Sequence, residues 1–395
     1  MSHGTVAVAG IGSTKHGFFP ELGWRDLVVA AAYDAIDDSG IDPDEIDGGY
    51  VAITAPETIE QQNLGPIVAE ELALTPEPFT QVVAACAAGL IALRAGADMI
   101  ASGRHRCVLV VGVEKISDTT ATAESMMAYP DQDFETPLGF DFVDHTALML
   151  KRYLERYGQT QEAIAQFAVQ DRWYAQRNPK AVDYGRPSLS VADVLAAPIA
   201  SRPFTGAEIA KACDGASAVL LMASDDVRRR ADVTVEIAGI AQATGPNVLG
   251  SRFGWPGFGK YDIAEALATD AAAARAYKEA GLAPEDVDFA EVHDCFDFMG
   301  VLQLEALGIF PRGRGATAVA AGETALDGRC PACTDGGRIS LGHPTGATGI
   351  NVVVEAVVQM RGDAGERQVP RPDVAVCQSM GGNNATSAVA VLRRS

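Results

Sequence analysis

Positive charge is scarce in this 395-residue chain: 31 Lys and Arg stand against 52 Asp and Glu, a formal net charge of −21. A surface this acidic repels phosphate backbones and anionic headgroups, which argues against nucleic acid and membrane as partners. Cysteine is sparse as well. Seven residues, an odd number spread along the chain, make no disulfide framework. No apolar run is long enough to cross a bilayer, since the longest, near Val82–Ile100, is broken by Arg94 and Asp98. The start, Met1-Ser2-His3-Gly4, lacks a basic stretch and an apolar stretch, so no signal peptide is expected and a cytoplasmic location is. What remains is a chain 48% hydrophobic and 21% charged, enough to bury a core and to exclude wholesale disorder.

Short apolar runs alternate with helical periodicity. Val6–Ile11 reads as a strand, Trp24–Asp38 as a helix and Tyr50–Ile53 as a strand. Val82–Ala85, Ala87–Ser102 and Cys107–Val113 then repeat strand, helix, strand. This pattern predicts layered α/β structure with mostly parallel sheet. The chain also resembles itself. Ala9-Gly10-Ile11 recurs as Ala238-Gly239-Ile240, an offset of 229. Ser39–Asp47 resembles Ala280–Asp288, an offset of 241, each a helix ending at glycine before a Pro-acidic turn. Cys86-Ala87-Ala88-Gly89 and His343-Pro344-Thr345-Gly346 each open a helix, with offsets of 257 at the start and 259 at the closing glycine. Asp214–Val219 is echoed by Asn384–Val389 at an offset of 170. Four echoes in one order predict a duplicated fold with an insert before the last strand of the first half. The expected division is 1–116 completed by 213–230, an inserted loop domain at 117–212, and a second half at 233–395.

A pseudo-dyad would bring the two equivalent helix starts together, with Cys86 facing His343. Unpaired N–H groups and the positive end of the dipole at such a start favour thiolate. The competing reading of Cys86 is a small buried hydrophobe, and of His343 a structural hydrogen-bonding group. His293 and Cys295 alternate along an extended segment and can share one face. Zinc is their rival, helped slightly by Cys330-Pro331-Ala332-Cys333, but one such pair without a second is weak, and no metal is expected. Val374–Asn384 is a strand ending at Gly381-Gly382, whose N–H groups could bind an oxyanion. Gly10-Ile11-Gly12 lacks the third glycine of a dinucleotide-binding turn, because Lys15 stands there.

Ala85-Cys86-Ala87-Ala88-Gly89, His293-Asp294-Cys295-Phe296, Gly342-His343-Pro344-Thr345-Gly346-Ala347-Thr348-Gly349 and Val111–Ser117 resemble the thiolase superfamily, in its sterol-carrier-protein-x and acetyl-CoA acetyltransferase branch. The resemblance implies the thiolase fold, two duplicated layered α-β-α halves with an inserted loop domain, and a homodimer or higher homo-oligomer. It implies an acyltransferase that makes or cleaves a carbon–carbon bond between acyl-CoA thioesters, with coenzyme A as substrate and no permanent cofactor. Carried over, Cys86 is the acylated nucleophile and His343 activates it. His293 joins an oxyanion site, and Cys295 is the second catalytic cysteine, which other thiolases take from a Cys-x-Gly motif where this chain has Met380-Gly381-Gly382. Cys86 N–H with Gly381 and Gly382 would form the other oxyanion site. Phe296 and the Arg172, Arg177 and Lys180 cluster are candidates for coenzyme A, against the reading of that cluster as a solvated helix face. The alternatives are a retro-aldolase or an acyltransferase subunit acting with an OB-fold partner, and a silent scaffold subunit. The aldolases of this branch replace both histidines by tyrosine, and here both are histidine.

Overall fold

The computed structural model describes residues 5–118, 129–253 and 262–395; the Met1–Gly4 start, residues 119–128 of the expected insert and 254–261 of the expected second half lie outside these. Among the described residues the strands are β1 (Val6–Ser13), β2 (Gly48–Ile53), β3 (Phe79–Val83), β4 (Cys107–Glu114), β5 (Ile199–Ser201), β6 (Phe204–Thr205), β7 (Gly215–Ala223), β8 (Val235–Thr244), β9 (Phe289–Glu291), β10 (Val374–Gly381) and β11 (Thr386–Arg394). Short β5 and β6 pair with each other, and the others form one sheet in the order β3-β2-β4-β7-β1-β8-β11-β10-β9. The expectation of a mostly parallel sheet is corrected: only β3-β2, β2-β4 and β10-β9 are parallel, and the five central pairings, where the two halves and their last strands meet, are antiparallel. The expected strand at Val82–Ala85 begins earlier and stops at Val83, because Ala85 takes a left-handed backbone (φ 50°) that breaks the extended run.

The central pairing of β1 with β8 carries a two-fold in its register. Under the offset of 229, Val235, Glu236 and Ile237 are the counterparts of Val6, Ala7 and Val8. The antiparallel partners are Val6 with Ile237, Ala7 with Glu236 and Val8 with Val235. Ala7 therefore faces its own counterpart, and its neighbours exchange. Both copies also skip one residue in the next ladder, Ala9 between β1 and β7 and Ala238 between β8 and β11. A Cβ on Gly10 would stand 2.1 Å from the Ala35 carbonyl, and one on Gly239 would stand 2.2 Å from that of Ala276. Only glycine admits a helix so close. The register corrects one offset: Ile11 pairs with Val219 and Ile240 with Ala390, which sets the last strand at 171 instead of 170.

Alternate side chains of the sheet enter different cores, as the two-residue repeat of a strand requires. Val108, Val110, Ala375 and Cys377 close on two central helices, Ala88–Ala101 and Thr348–Arg361. Leu109 and Val111 face the helix Trp24–Ser39, whereas Val376 and Val389 face the second half's outer helices. The outer helices Trp24–Ser39 and Leu267–Ala280 both end on a left-handed glycine, Gly40 and Gly281. Between β4 and β7 the chain makes the helices Phe142–Tyr157, Gln161–Ala175 and Val191–Ala196. No helix among the described residues is long and apolar enough to cross a membrane.

Candidate active site

The two central helices start against each other. A Cβ on Gly89 would lie 2.8 Å from the Ile350 amide nitrogen, and one on Gly349 would lie 2.4 Å from that of Leu90. Both helices have 14 residues and are related by an offset of 260. The expected equivalence of Cys86 with His343 is therefore corrected: Cys86 has Gly346 as its counterpart, and His343 lies three residues upstream. The reason is that glycine-to-glycine contact sets the helix register. The loops before the helices are free to differ in length.

The site still closes. Cys86, His293 and His343 each present a ligating atom, all within 4.8 Å of one another. The two histidine rings meet edge to face, their centroids 5.0 Å apart. All three side chains are buried, with Cys86 at 7% exposure. Burial pushes the Cys86 thiol up to about 12, although the Tyr129 hydroxyl pulls the other way. Burial therefore acts against the lowering expected of a helix start. His293 is lowered to about 3 by burial, with Arg338 adding to it. His343 falls well below the usual range through burial, then His293, Arg338 and His16. At neutral pH the set is a thiol beside two neutral imidazoles. A soft metal could use the same three atoms.

Each loop is pinned by the opposite half. Glu114, at the end of β4, is fully buried and accepts hydrogen bonds from the Thr345 hydroxyl (2.7 Å) and the Gly346 amide (3.0 Å). The Thr58 hydroxyl and the Thr54 amide also donate to it. Ser379, in β10, donates its hydroxyl to the Cys86 carbonyl at 2.8 Å. Thr348 Oγ1 lies 2.7 Å from His343 Nδ1 and 3.2 Å from the Pro344 carbonyl, to which it donates. Its lone pairs then take the proton of Nδ1, which leaves Nε2 of His343 as the basic nitrogen.

His293 and Cys295 follow β9. The His293 amide donates to Gln378 Oε1 at 3.0 Å, and the Cys295 carbonyl accepts from the Ala210 amide at 2.9 Å. Asp294, between them, turns to the Arg338 amide, 2.9 Å from each of its oxygens. Cys295 is buried, and burial with the Cys86 charge pushes its thiol well above the usual range. Gly381 comes against the Cys86 loop, since a Cβ there would lie 2.7 Å from the Ala84 carbonyl. Gly382 follows in a left-handed turn (φ 59°).

Several candidates fall elsewhere. Phe296 is buried between Phe142 and Phe204, with ring centroids at 5.5 and 4.9 Å, so it is a wall behind the site and cannot touch a ligand at the surface. Arg172 pairs with buried Asp183 at 2.8 Å, Arg177 stacks on Trp173 at 4.0 Å, and Lys180 donates to the Ser13 carbonyl at 2.6 Å. Arg177 and Lys180 line a cleft of about 570 Å³ that shares no residue with the cleft of about 460 Å³ along Ala84, Ala85, Gly381 and Gly382. These three cations are engaged by Asp183, by Trp173 with Glu366, and by the Ser13 carbonyl. Cys330 and Cys333 are buried, and the Cys333 thiol donates to the Val292 carbonyl at 3.5 Å. Sequence reasoning missed Glu114, Thr348, Ser379 and Tyr129. Thr348 and Glu114 lie inside motifs quoted for the resemblance and Ser379 in the strand that ends at Gly381-Gly382, but nothing local assigned any of them a role; Tyr129 lay outside every quoted segment.

Comparison with known proteins agrees with this geometry. Residues 6–186 match the family model for the thiolase N-terminal domain, and 259–394 match the thiolase C-terminal domain-like model. An acetyl-CoA acetyltransferase of Methanothermobacter thermautotrophicus is 36% identical over 98% of this chain and 99% of its own length. Human sterol carrier protein 2 is 29% identical over 95% of this chain and 70% of its own. Among solved structures, the Ltp2-ChsH2(DUF35) aldolase superposes with a TM-score of 0.84 at 24% identity, covering 99% of this chain and 98% of that one. Human mitochondrial 3-ketoacyl-CoA thiolase in complex with CoA gives 0.71 at 16%, covering 99% and 98%.

Proposed function

The chain belongs to the thiolase family, and on that premise we propose that Cys86, His293, Cys295 and His343 are its catalytic residues. It is a transferase that joins or cleaves acyl groups carried as coenzyme A thioesters. The observation that supports the residue assignment is the convergence of Cys86, His293 and His343 within 4.8 Å, from loops held by opposite halves.

In the cleavage direction His343 Nε2 takes the Cys86 proton as sulfur attacks the 3-keto carbonyl. The neutral imidazole is suited to this, because it is free to accept. The carbon–carbon bond breaks and its electron pair passes to the leaving acyl-CoA as an enolate. The Cys295 thiol, kept protonated by burial, gives its proton to the enolate carbon. Coenzyme A thiol then gives its proton to the Cys295 thiolate and attacks the acyl-Cys86 thioester. The departing Cys86 sulfur takes back the proton held on His343 Nε2, so acyl-CoA leaves and all three side chains return to their starting forms. Oxyanions on this path have two sets of donors, the ring N–H groups of His293 and His343 on one side and the Cys86 and Gly381-Gly382 amides on the other. Condensation runs the same steps in reverse.

Three finer readings go with this assignment. The division 1–116 with 213–230, 117–212, and 233–395 is supported by the symmetric register of β1 with β8. A homodimer is supported by β3, an edge strand only partly covered, with Val83 51% exposed. The thiolase reading stands above the retro-aldolase one because of the two facing imidazoles. The test of the assignment is a single turnover with a panel of acyl-CoAs, followed by intact mass and peptide mapping. An acyl adduct on Cys86, absent in Cys86→Ala, is expected; an adduct on Cys213 or Cys377 overturns the assignment.

A further inference from the structure

We propose that Tyr129 is a substrate-site residue: its hydroxyl donates to the Cys86 sulfur, and its ring limits the acyl group on that sulfur to a short chain. This rests on Cys86 being the acylated residue. The Tyr129 Oη lies 3.9 Å from Cys86 Sγ, a hydrogen-bond separation for sulfur. At rest either group can donate. Once the thiol has lost its proton, only the tyrosine can, and burial beside Cys86 and Glu114 keeps the Tyr129 hydroxyl protonated well past its ordinary range. The titratable groups facing Cys86 are then His293, His343, Cys295, Glu114 and Tyr129. Of these, Tyr129 alone is a neutral O–H donor already within reach of the sulfur.

The same ring forms one wall of the cleft of about 460 Å³ that runs along Ala84, Ala85 and Gly381. Tyr129 cannot retreat. Its ring packs on Phe142 at 5.5 Å, Phe142 on Phe296 at 5.5 Å and Phe296 on Phe204 at 4.9 Å. The three phenylalanines are at most 6% exposed. A close-packed aromatic row of this kind yields little to an inserted chain. An acyl group on Cys86 that grows toward Tyr129 therefore meets a rigid ring within a few carbons.

Two variants separate the donor from the wall. Tyr129→Phe keeps the ring and removes the hydroxyl, and Tyr129→Ala removes both. The donor is read by the rate of iodoacetamide alkylation of Cys86 across a pH series, located by peptide mapping. The wall is read by Cys86 acylation with acetyl-, butyryl- and hexanoyl-CoA. Alkylation of Tyr129→Phe at mildly alkaline pH should fall about fivefold, the order of one modest hydrogen bond, with acyl preference unchanged. Tyr129→Ala should raise the hexanoyl-to-acetyl ratio about tenfold or more, the range set by methylenes in a tight pocket. Wild-type alkylation in Tyr129→Phe overturns the donor, and wild-type chain preference in Tyr129→Ala overturns the wall. Absence of any Cys86 adduct in the unaltered chain counts against the thiolase assignment itself, and the alkylation arm still decides the contact.

Discussion

Glu114 and Gly381 hold the same place in the two halves and do opposite things. They close β4 and β10, strands of eight residues related by an offset of 267. The central helices are related by 260, which makes Pro344 and Thr345 the counterparts of Ala84 and Ala85. In one half a buried carboxylate reaches across and ties Thr345 and Gly346. In the other, a missing side chain lets the strand end against Ala84 and leaves open the cleft beside Cys86. The neighbouring contact is duplicated too: a Cβ on Gly112 would lie 2.6 Å from the Gly346 carbonyl, and its counterpart Ser379 donates to the Cys86 carbonyl. Duplication supplied two equal seats at the dyad. On the assignment proposed above, one is filled to hold the base still, and the other is emptied to admit a substrate.

Breaking the filled seat should have the largest effect. Glu114→Ala strands the donors of Thr54, Thr58, Thr345 and Gly346 in the interior. It should lower stability by about 3 kcal/mol or more in chemical denaturation and turnover by about a hundredfold. Intact turnover would mean that the His343 loop holds itself. Filling the empty seat comes next. Gly381→Val would push on the Ala84 carbonyl and close the cleft, costing about 1–3 kcal/mol of overpacking and cutting Cys86 acylation about tenfold or more. Unchanged acylation would show that acyl-CoA arrives another way.

Thr348→Val sharpens the base assignment. Loss of the partner at Nδ1 frees the tautomer, so kcat should fall about tenfold with KM little changed, and Thr348→Ser should restore it. A KM effect without a kcat effect would make Thr348 a packing residue. The smallest effect at neutral pH is expected at His16, behind the site, whose Nδ1 lies 3.3 Å from the Gly342 carbonyl. Burial lowers it from 6.5 to about 3. The fold keeps it neutral while the unfolded chain takes up a proton, so its contribution is intact above 6.5 and is lost as pH falls from 6.5 toward 3. His16→Gln should flatten the acid limb of stability against pH by up to about 1.4 kcal/mol per pH unit. An unchanged limb would place the proton uptake elsewhere.

Much of this was legible in the residues because it is local. The glycine-bounded helices, the Pro-acidic turns and the repeated Ala-Gly-Ile strands each announce themselves within ten residues, and they suffice for the α/β class and the duplication. Cys86 and His343 sit in small or glycine-rich settings, and His293 and Cys295 in the run His293-Asp294-Cys295-Phe296, which together mark them within the thiolase resemblance. The offset between Cys86 and His343 was misread because it depends on where Gly89 meets Gly349, a contact between helices. The contacts of Glu114 and Tyr129 were hidden for the same reason, since Thr345 and Cys86 are 231 and 43 residues away from them. The Arg172, Arg177 and Lys180 cluster looked free only because Asp183, Trp173 and the Ser13 carbonyl are brought to it by the fold.

The central claim is that the first half carries the acyl group and the second half moves the proton. It is tested most directly by α-proton exchange of bound acetyl-CoA in deuterated water, measured beside Cys86 acylation in Cys295→Ala. A positioned acid–base group contributes about 10²–10⁴-fold, so exchange should fall by that order while the acetyl adduct on Cys86 still forms. Exchange at the wild-type rate in Cys295→Ala would contradict the account and pass the proton to His293.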